Sequence, residues 1–125
     1  MNEKRKVLVV DDNVNFLQLA ELALSSDYDV LTASDGLEGL SKAKKELPDV
    51  ILLDVMMPHI SGLEMLRMLL TEEETRGIPV IIFTASHFDP STEQVFKQEI
   101  NVKGFLQKPC PVDQLKEAIN SAIKK

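Results

Sequence analysis

Val50-Ile51-Leu52-Leu53-Asp54 is a run of apolar strand formers that stops on a carboxylate, and the pattern recurs along the chain. Val7 to Val10 stop on Asp11-Asp12, Val80 to Phe83 on Thr84, and Phe105-Leu106 lie just ahead of Lys108. Continuously apolar runs of this length read as strands covered on both faces, as in a parallel sheet between helices. If these runs lie in one such sheet, their ends share an edge. Three carboxylates, a hydroxyl and an ammonium then converge there.

Apolar runs alternate with amphipathic stretches through five cycles. Strands are expected near 6–11, 29–33, 49–54, 79–84 and 102–106, with the first, third and fourth central. Helical stripes follow: Phe16, Leu17, Ala20, Ala23 and Leu24; Leu37, Leu40, Ala43 and Leu47; Leu63, Leu66 and Leu70; and, last, Leu115, Ala118, Ile119 and Ala122. A fourth helix over about 90–99 has little apolar content beyond Val95 and Phe96, with Ile100 following, so it should pack less firmly. Asp35-Gly36 with Glu38 reads as a capped helix start, Pro48 and Pro79 precede strands, Gly77 ends the third helix, and Pro111 lies close to the start of the last. Strand–helix alternation with short connections implies right-handed crossovers. The expected fold is therefore an α/β, flavodoxin-like (βα)5 doubly wound parallel sheet, order 2-1-3-4-5. Its switch point lies between strands 1 and 3, which sets Asp11 and Asp12 beside Asp54.

Composition limits the function. At 125 residues the chain has the size of one domain, residues 1–125. Fourteen Lys and Arg against twenty Asp and Glu give a net charge of −6, so no basic field exists to hold a nucleic-acid backbone. The single cysteine, Cys110, cannot form an intrachain disulfide, and no apolar stretch approaches the roughly 20 residues that span a bilayer. The N-terminus lacks the apolar core of a signal peptide. These features point to a cytoplasmic setting away from membranes.

Three carboxylates crowded at one edge must protonate or take a cation. Mg²⁺ suits an all-oxygen set, keeps waters and shares its sphere with phosphate, with Mn²⁺ as an alternative ion. Zinc does not fit, because His59, His87 and Cys110 form no cluster at ligand spacing. A carboxylate can also be a nucleophile toward phosphorus, and transfer then depends on positioning and charge neutralisation. Lys108 can supply a point charge and Thr84 a hydroxyl, with small Ala85 leaving the approach open.

The ordered set Asp11-Asp12, Asp54 with Met57-Pro58 and Gly62, Thr84-Ala85, and Gly104-Phe105-Leu106-Gln107-Lys108-Pro109 resembles a response-regulator receiver domain over almost the whole chain. The resemblance implies that Asp54 accepts a phosphoryl group from a partner histidine kinase or histidine phosphotransfer protein. It implies Mg²⁺ held by Asp12, Asp54 and the Met56 backbone carbonyl, with Asp11 acting mostly through a metal-bound water. Thr84 and Lys108 would contact the phosphoryl group, Phe105 would turn inward as the switch aromatic, and the Lys108–Pro109 bond would be cis. Met56 and Ser86 would flank the attacking water and tune self-dephosphorylation, which bulky Met56 should keep slow to moderate. Output would pass through helix 4, strand 5 and helix 5 to a downstream effector protein or output domain. The chain would be a stand-alone or excised receiver, a regulator that assists its own phosphorylation and dephosphorylation rather than an enzyme. A phosphorylation-dependent homodimer stays open.

Blander readings compete. Asp11, Asp12 and Asn13 could merely cap the first helix. Phe105 could be ordinary core, and Cys110 an unreactive small residue. At the level of function the rivals are a receiver-like docking module that takes no phosphate, an aspartyl-phosphate phosphatase and a flavin carrier. Intact Asp54, Thr84 and Lys108 count against the first. The phosphatase places a second Asp two residues after its nucleophile, where Asn13 stands, and Asp12-Asn13-Val14-Asn15 is no flavin phosphate loop.

Overall fold

The computed structural model describes residues 4–54, 62–84 and 90–124. Five strands alternate with five helices: β1 (Arg5–Val10), α1 (Val14–Leu24), β2 (Tyr28–Ala33), α2 (Gly36–Glu46), β3 (Val50–Leu53), α3 (Gly62–Leu70), β4 (Val80–Thr84), α4 (Pro90–Lys97), β5 (Val102–Gln107) and α5 (Val112–Lys124). All neighbouring strands pair in parallel, in the order β2-β1-β3-β4-β5. The three strands expected to be central are central, and each starts and ends within about two residues of the range read from sequence.

Side-chain alternation divides the core in two. Val7, Val9, Val50, Leu52, Ile81 and Phe83 face α1 and α5, meeting Leu17, Ala20, Leu24, Leu115, Ile119 and Ala122. Leu8, Val10, Ile51, Leu53, Val80 and Ile82 face the other way, onto Leu40 and Ala43 of α2, Met65, Leu66 and Leu69 of α3, and Phe96 of α4. Every residue of β3 is buried, which is why that run carries no polar side chain until its end. The edge strands β2 and β5 are only partly covered, and their sequences are correspondingly mixed.

Several helix faces differ from the expected stripes. Leu37 and Leu47 are exposed, and α2 instead buries Gly36, Gly39, Leu40 and Ala43. Leu47 is the left-handed C-cap of that helix, with φ 48°, so its side chain leaves the stripe. Asp35 caps the other end by accepting the Glu38 N–H at 2.8 Å, while the Glu38 carboxylate reaches back past the cap to accept the Ser34 N–H at 2.8 Å, a variant of the capping box. The Ser34 N–H holds the Glu38 carboxyl below its usual range, with the Ser34 hydroxyl and Lys42 adding to the effect against burial. On α3, Met65, Leu66 and Leu69 are fully buried whereas Leu63 and Leu70 are half-buried. That helix ends at Leu70, so Gly77 is not its cap; buried Thr75 closes it by donating its hydroxyl to the Leu69 carbonyl at 2.7 Å. On α4, Val95 and Ile100, just beyond its end, are exposed, and Phe96 alone is buried among the described side chains there.

Gly39 sets how closely α2 approaches the sheet. A Cβ there would meet Val10 Cγ2 and Met65 Cε, each at 3.0 Å. The methionine end can swing away, but the Val10 methyls are fixed in a buried strand with stiff χ1. Alanine gains about 1 kcal/mol of helix propensity, whereas overpacking costs about 1–3 kcal/mol. Gly39→Ala is therefore expected to lose about 1 kcal/mol net, read as a lower urea midpoint; a raised midpoint contradicts the close packing.

Candidate functional site

The edge at the strand C-termini is an extension of the sheet ladder. The Asp11 N–H donates to the Ala33 carbonyl at 3.0 Å, the Asp54 N–H to the Val10 carbonyl at 3.0 Å, and the Lys108 N–H to the Thr84 carbonyl at 2.9 Å. Asp11, Asp54 and Lys108 thus each sit just past the end of a strand, fixed by a neighbouring backbone. Register adds the rest: Val10 pairs with Leu53, and Thr84 with Gln107. The Lys108–Pro109 peptide is cis.

Asp54 lies at the centre. Its Oδ1 accepts the Thr84 hydroxyl at 2.9 Å, and its Oδ2 lies 3.3 Å from Lys108 Nζ. The same ammonium donates to Asp11 Oδ2. Asp11 and Thr84 are almost fully buried and Asp54 nearly so, whereas Asp12 is exposed. One carboxylate oxygen from each of Asp11, Asp12 and Asp54 lies within 4.8 Å of the others. Burial pushes the Asp11 carboxyl up, against the bonds from Lys108 and the Asn13 N–H that pull it down, and the Asp54 charge adds to the rise. Among the described residues one ammonium, paired with Asp11 and Asp54, stands against the three clustered carboxylates, which leaves the cluster short of positive charge. A hard divalent ion with oxygen ligands answers that deficit, so the donor set fits the ion expected from sequence.

The helix-capping reading of Asp11-Asp12-Asn13 holds for one residue. Asn13 is the cap of α1, its side-chain oxygen accepting the Phe16 N–H at 3.1 Å, while its own N–H donates to Asp11 Oδ1 at 2.9 Å. That leaves the Asp12 side chain in solvent, beside the other two carboxylates.

Two residues of the site were not singled out from sequence. Phe16 and Phe83 flank Lys108, their ring centroids 4.0 Å and 5.8 Å from its Nζ. Both look like ordinary core residues in the linear pattern, and the available signal was position: Phe16 begins the α1 stripe and Phe83 immediately precedes Thr84. Phe105 is half-buried against the α2–α3–α4 side of the core, with Lys97 Nζ 5.8 Å from its ring centroid. Cys110 is half-buried, and burial raises its thiol, as an unreactive cysteine requires. Met56 and Ser86, with Met57, Pro58, His59, Ala85 and His87, lie outside the described residues. Among the described residues no helix is long and apolar enough to cross a membrane.

Comparison with known proteins agrees with this arrangement. The family model for the response regulator receiver domain matches residues 7–120. The alkaline phosphatase synthesis transcriptional regulatory protein PhoP of Bacillus subtilis is 34% identical over 122 residues, which is 97% of this chain and 49% of PhoP, so the chain spans about half of that relative. Protein PilH of Pseudomonas aeruginosa is 33% identical over 119 residues, covering 94% of this chain and 97% of PilH. Among solved structures, the receiver domain of a sensor histidine kinase from Pseudomonas aeruginosa PAO1 superposes with a TM-score of 0.87 at 25% identity, covering 98% of this chain and 99% of that one. That structure holds a magnesium ion coordinated in its active site cleft.

Proposed function

Because the chain belongs to the response-regulator receiver domain family of two-component signalling, we propose that it is a phosphoacceptor switch in which Asp54 takes a phosphoryl group from a phosphohistidine. The donor is a histidine kinase or a histidine phosphotransfer protein. One observation carries the reading: both oxygens of Asp54 are engaged at the sheet edge, Oδ1 by Thr84 at 2.9 Å and Oδ2 by Lys108 at 3.3 Å, within a cluster of three carboxylates.

The transfer follows from these residues. A carboxylate oxygen of Asp54 forms a bond to phosphorus as the phosphorus–nitrogen bond of the phosphohistidine breaks, and the departing imidazole nitrogen takes a proton. Lys108 is already within reach of Asp54, so its ammonium can pair with a phosphoryl oxygen, and the Thr84 hydroxyl can turn from Oδ1 to another. Asp12, Asp54 and the Met56 carbonyl would hold Mg²⁺, with Asp11 acting through a metal-bound water and Mn²⁺ able to replace the ion. Bound there, the ion neutralises the charge that brings phosphate and carboxylates together. Met56 and Ser86 would set how fast water reaches the acyl phosphate, slowly to moderately with methionine at position 56.

Phosphorylation shifts the population toward a state in which Thr84 and Phe105 have moved. The α4–β5–α5 surface carries that change to an output domain or a separate effector, in the cytoplasm. The test is incubation with acetyl phosphate and Mg²⁺ followed by intact mass measurement. One added phosphoryl group is expected with Mg²⁺ or Mn²⁺ and none with EDTA. An unlabelled protein, under conditions that label a control receiver, sinks the acceptor reading in favour of a docking module.

A further inference from the structure

The Lys108 ammonium has two aromatic neighbours besides its carboxylates, at distances within the roughly 6 Å range of a cation–π contact. The rings brace each other, with Phe16 and Phe83 packed edge to face at 5.6 Å and 65°. Each is tied to the residues of the site. The N–H of Phe16 is the one that Asn13 caps, and the N–H of Asn13 reaches Asp11, the carboxylate that Lys108 grips. Phe83 adjoins Thr84, whose hydroxyl bonds Asp54 and whose carbonyl accepts the Lys108 N–H. Links thus run from carboxylate to cap to ring to ammonium and back.

We propose that Phe16, backed by Phe83, is a positioning residue that holds the Lys108 ammonium at the acidic edge ready for a phosphoryl oxygen. A ring face stabilises an ammonium through its quadrupole yet offers no lone pair. Water in the same place would be a competing acceptor and draw the ammonium off. A leucine would exclude the water but lack the attraction. The rings therefore leave the three N–H donors for Asp11, Asp54 and the incoming oxygens. The kinetic consequence rests on the acceptor reading above, whereas the contact itself does not.

The test compares Phe16→Leu and Phe16→Met, which remove the ring, with Phe16→Tyr, which keeps it. NMR of the lysine ε-carbon and its protons reads the contact, with Lys108 identified by the resonance lost in Lys108→Arg. In wild type and Phe16→Tyr the Lys108 signal should be ring-shifted upfield; in the Leu and Met variants it should move toward the solvated lysines. Acetyl phosphate labelling at saturating Mg²⁺ should slow about threefold to thirtyfold in those two variants and stay near wild type in Phe16→Tyr. Mg²⁺ affinity should be alike in all. A wild-type Lys108 resonance and labelling rate without the ring overturns the proposal, as does a Tyr variant as slow as Leu. If the wild type takes no label, the acceptor reading fails, and the lysine resonance still decides the contact.

Discussion

Asp54→Asn is expected to abolish labelling by acetyl phosphate while leaving a protein slightly more stable than wild type in EDTA. The loss of labelling should be at least about 10³-fold, the scale seen when a nucleophile is removed. Chemistry gives the reason: an amide oxygen keeps the shape and accepts the Thr84 hydroxyl, but it lacks the charge that attacks phosphorus. The stability gain comes from the three carboxylate oxygens that lie within 4.8 Å of each other. Removing one charge relieves repulsion, and Lys108 keeps Asp11 as a partner. About 1 kcal/mol is expected at neutral pH without divalent ions, after the lost Lys108–Asp54 attraction is subtracted. Urea unfolding in EDTA measures it. A destabilised variant would mean that the Asp54–Lys108 pair outweighs the repulsion.

Lys108→Met should have the opposite effect on stability. The ammonium is mostly buried and pairs with both Asp11 and Asp54. Methionine fills the space of the stem but leaves two buried carboxylates without that partner, which costs about 2–4 kcal/mol. In this variant Mg²⁺ becomes the principal source of positive charge. Saturating the ion should therefore restore much of the loss, since a ligand at about 100 times its Kd stabilises by about 2.7 kcal/mol. Urea midpoints with EDTA and with Mg²⁺ give both numbers. An unchanged midpoint in EDTA would show that the carboxylates are relieved by protonation rather than by Lys108.

Much of the fold was legible because β1, β3 and β4 are covered on both faces, and continuous apolar runs have few other uses. Helix faces were less so. On α2 the stripe was read through Leu37 and Leu47, which are exposed, because glycine carries no hydropathy signal and the buried face runs through Gly36 and Gly39. Gly77 follows the turns after α3 rather than the helix itself, because the buried Thr75 hydroxyl, bonded to the Leu69 carbonyl, closes α3 earlier. At the site, topology alone brings Asp11 beside Asp54, since the strand order pairs Val10 with Leu53. What linear reading missed was what the groups do before any phosphate arrives. Lys108, assigned to the phosphate, already grips Asp11, 97 residues away, and rests on two rings that the pattern read as core.

A titration of wild type and Asp54→Asn with beryllofluoride in the presence of Mg²⁺, followed by amide NMR, decides whether Asp54 works the switch. Beryllofluoride stands in for the phosphoryl group on a carboxylate. The wild type should show saturating shifts at Thr84, Lys108 and Phe105, spreading to α4 and α5, and the variant should show none of them. Absent shifts at Thr84 and Phe105 in the wild type, or equal shifts in the variant, would contradict a switch built on Asp54.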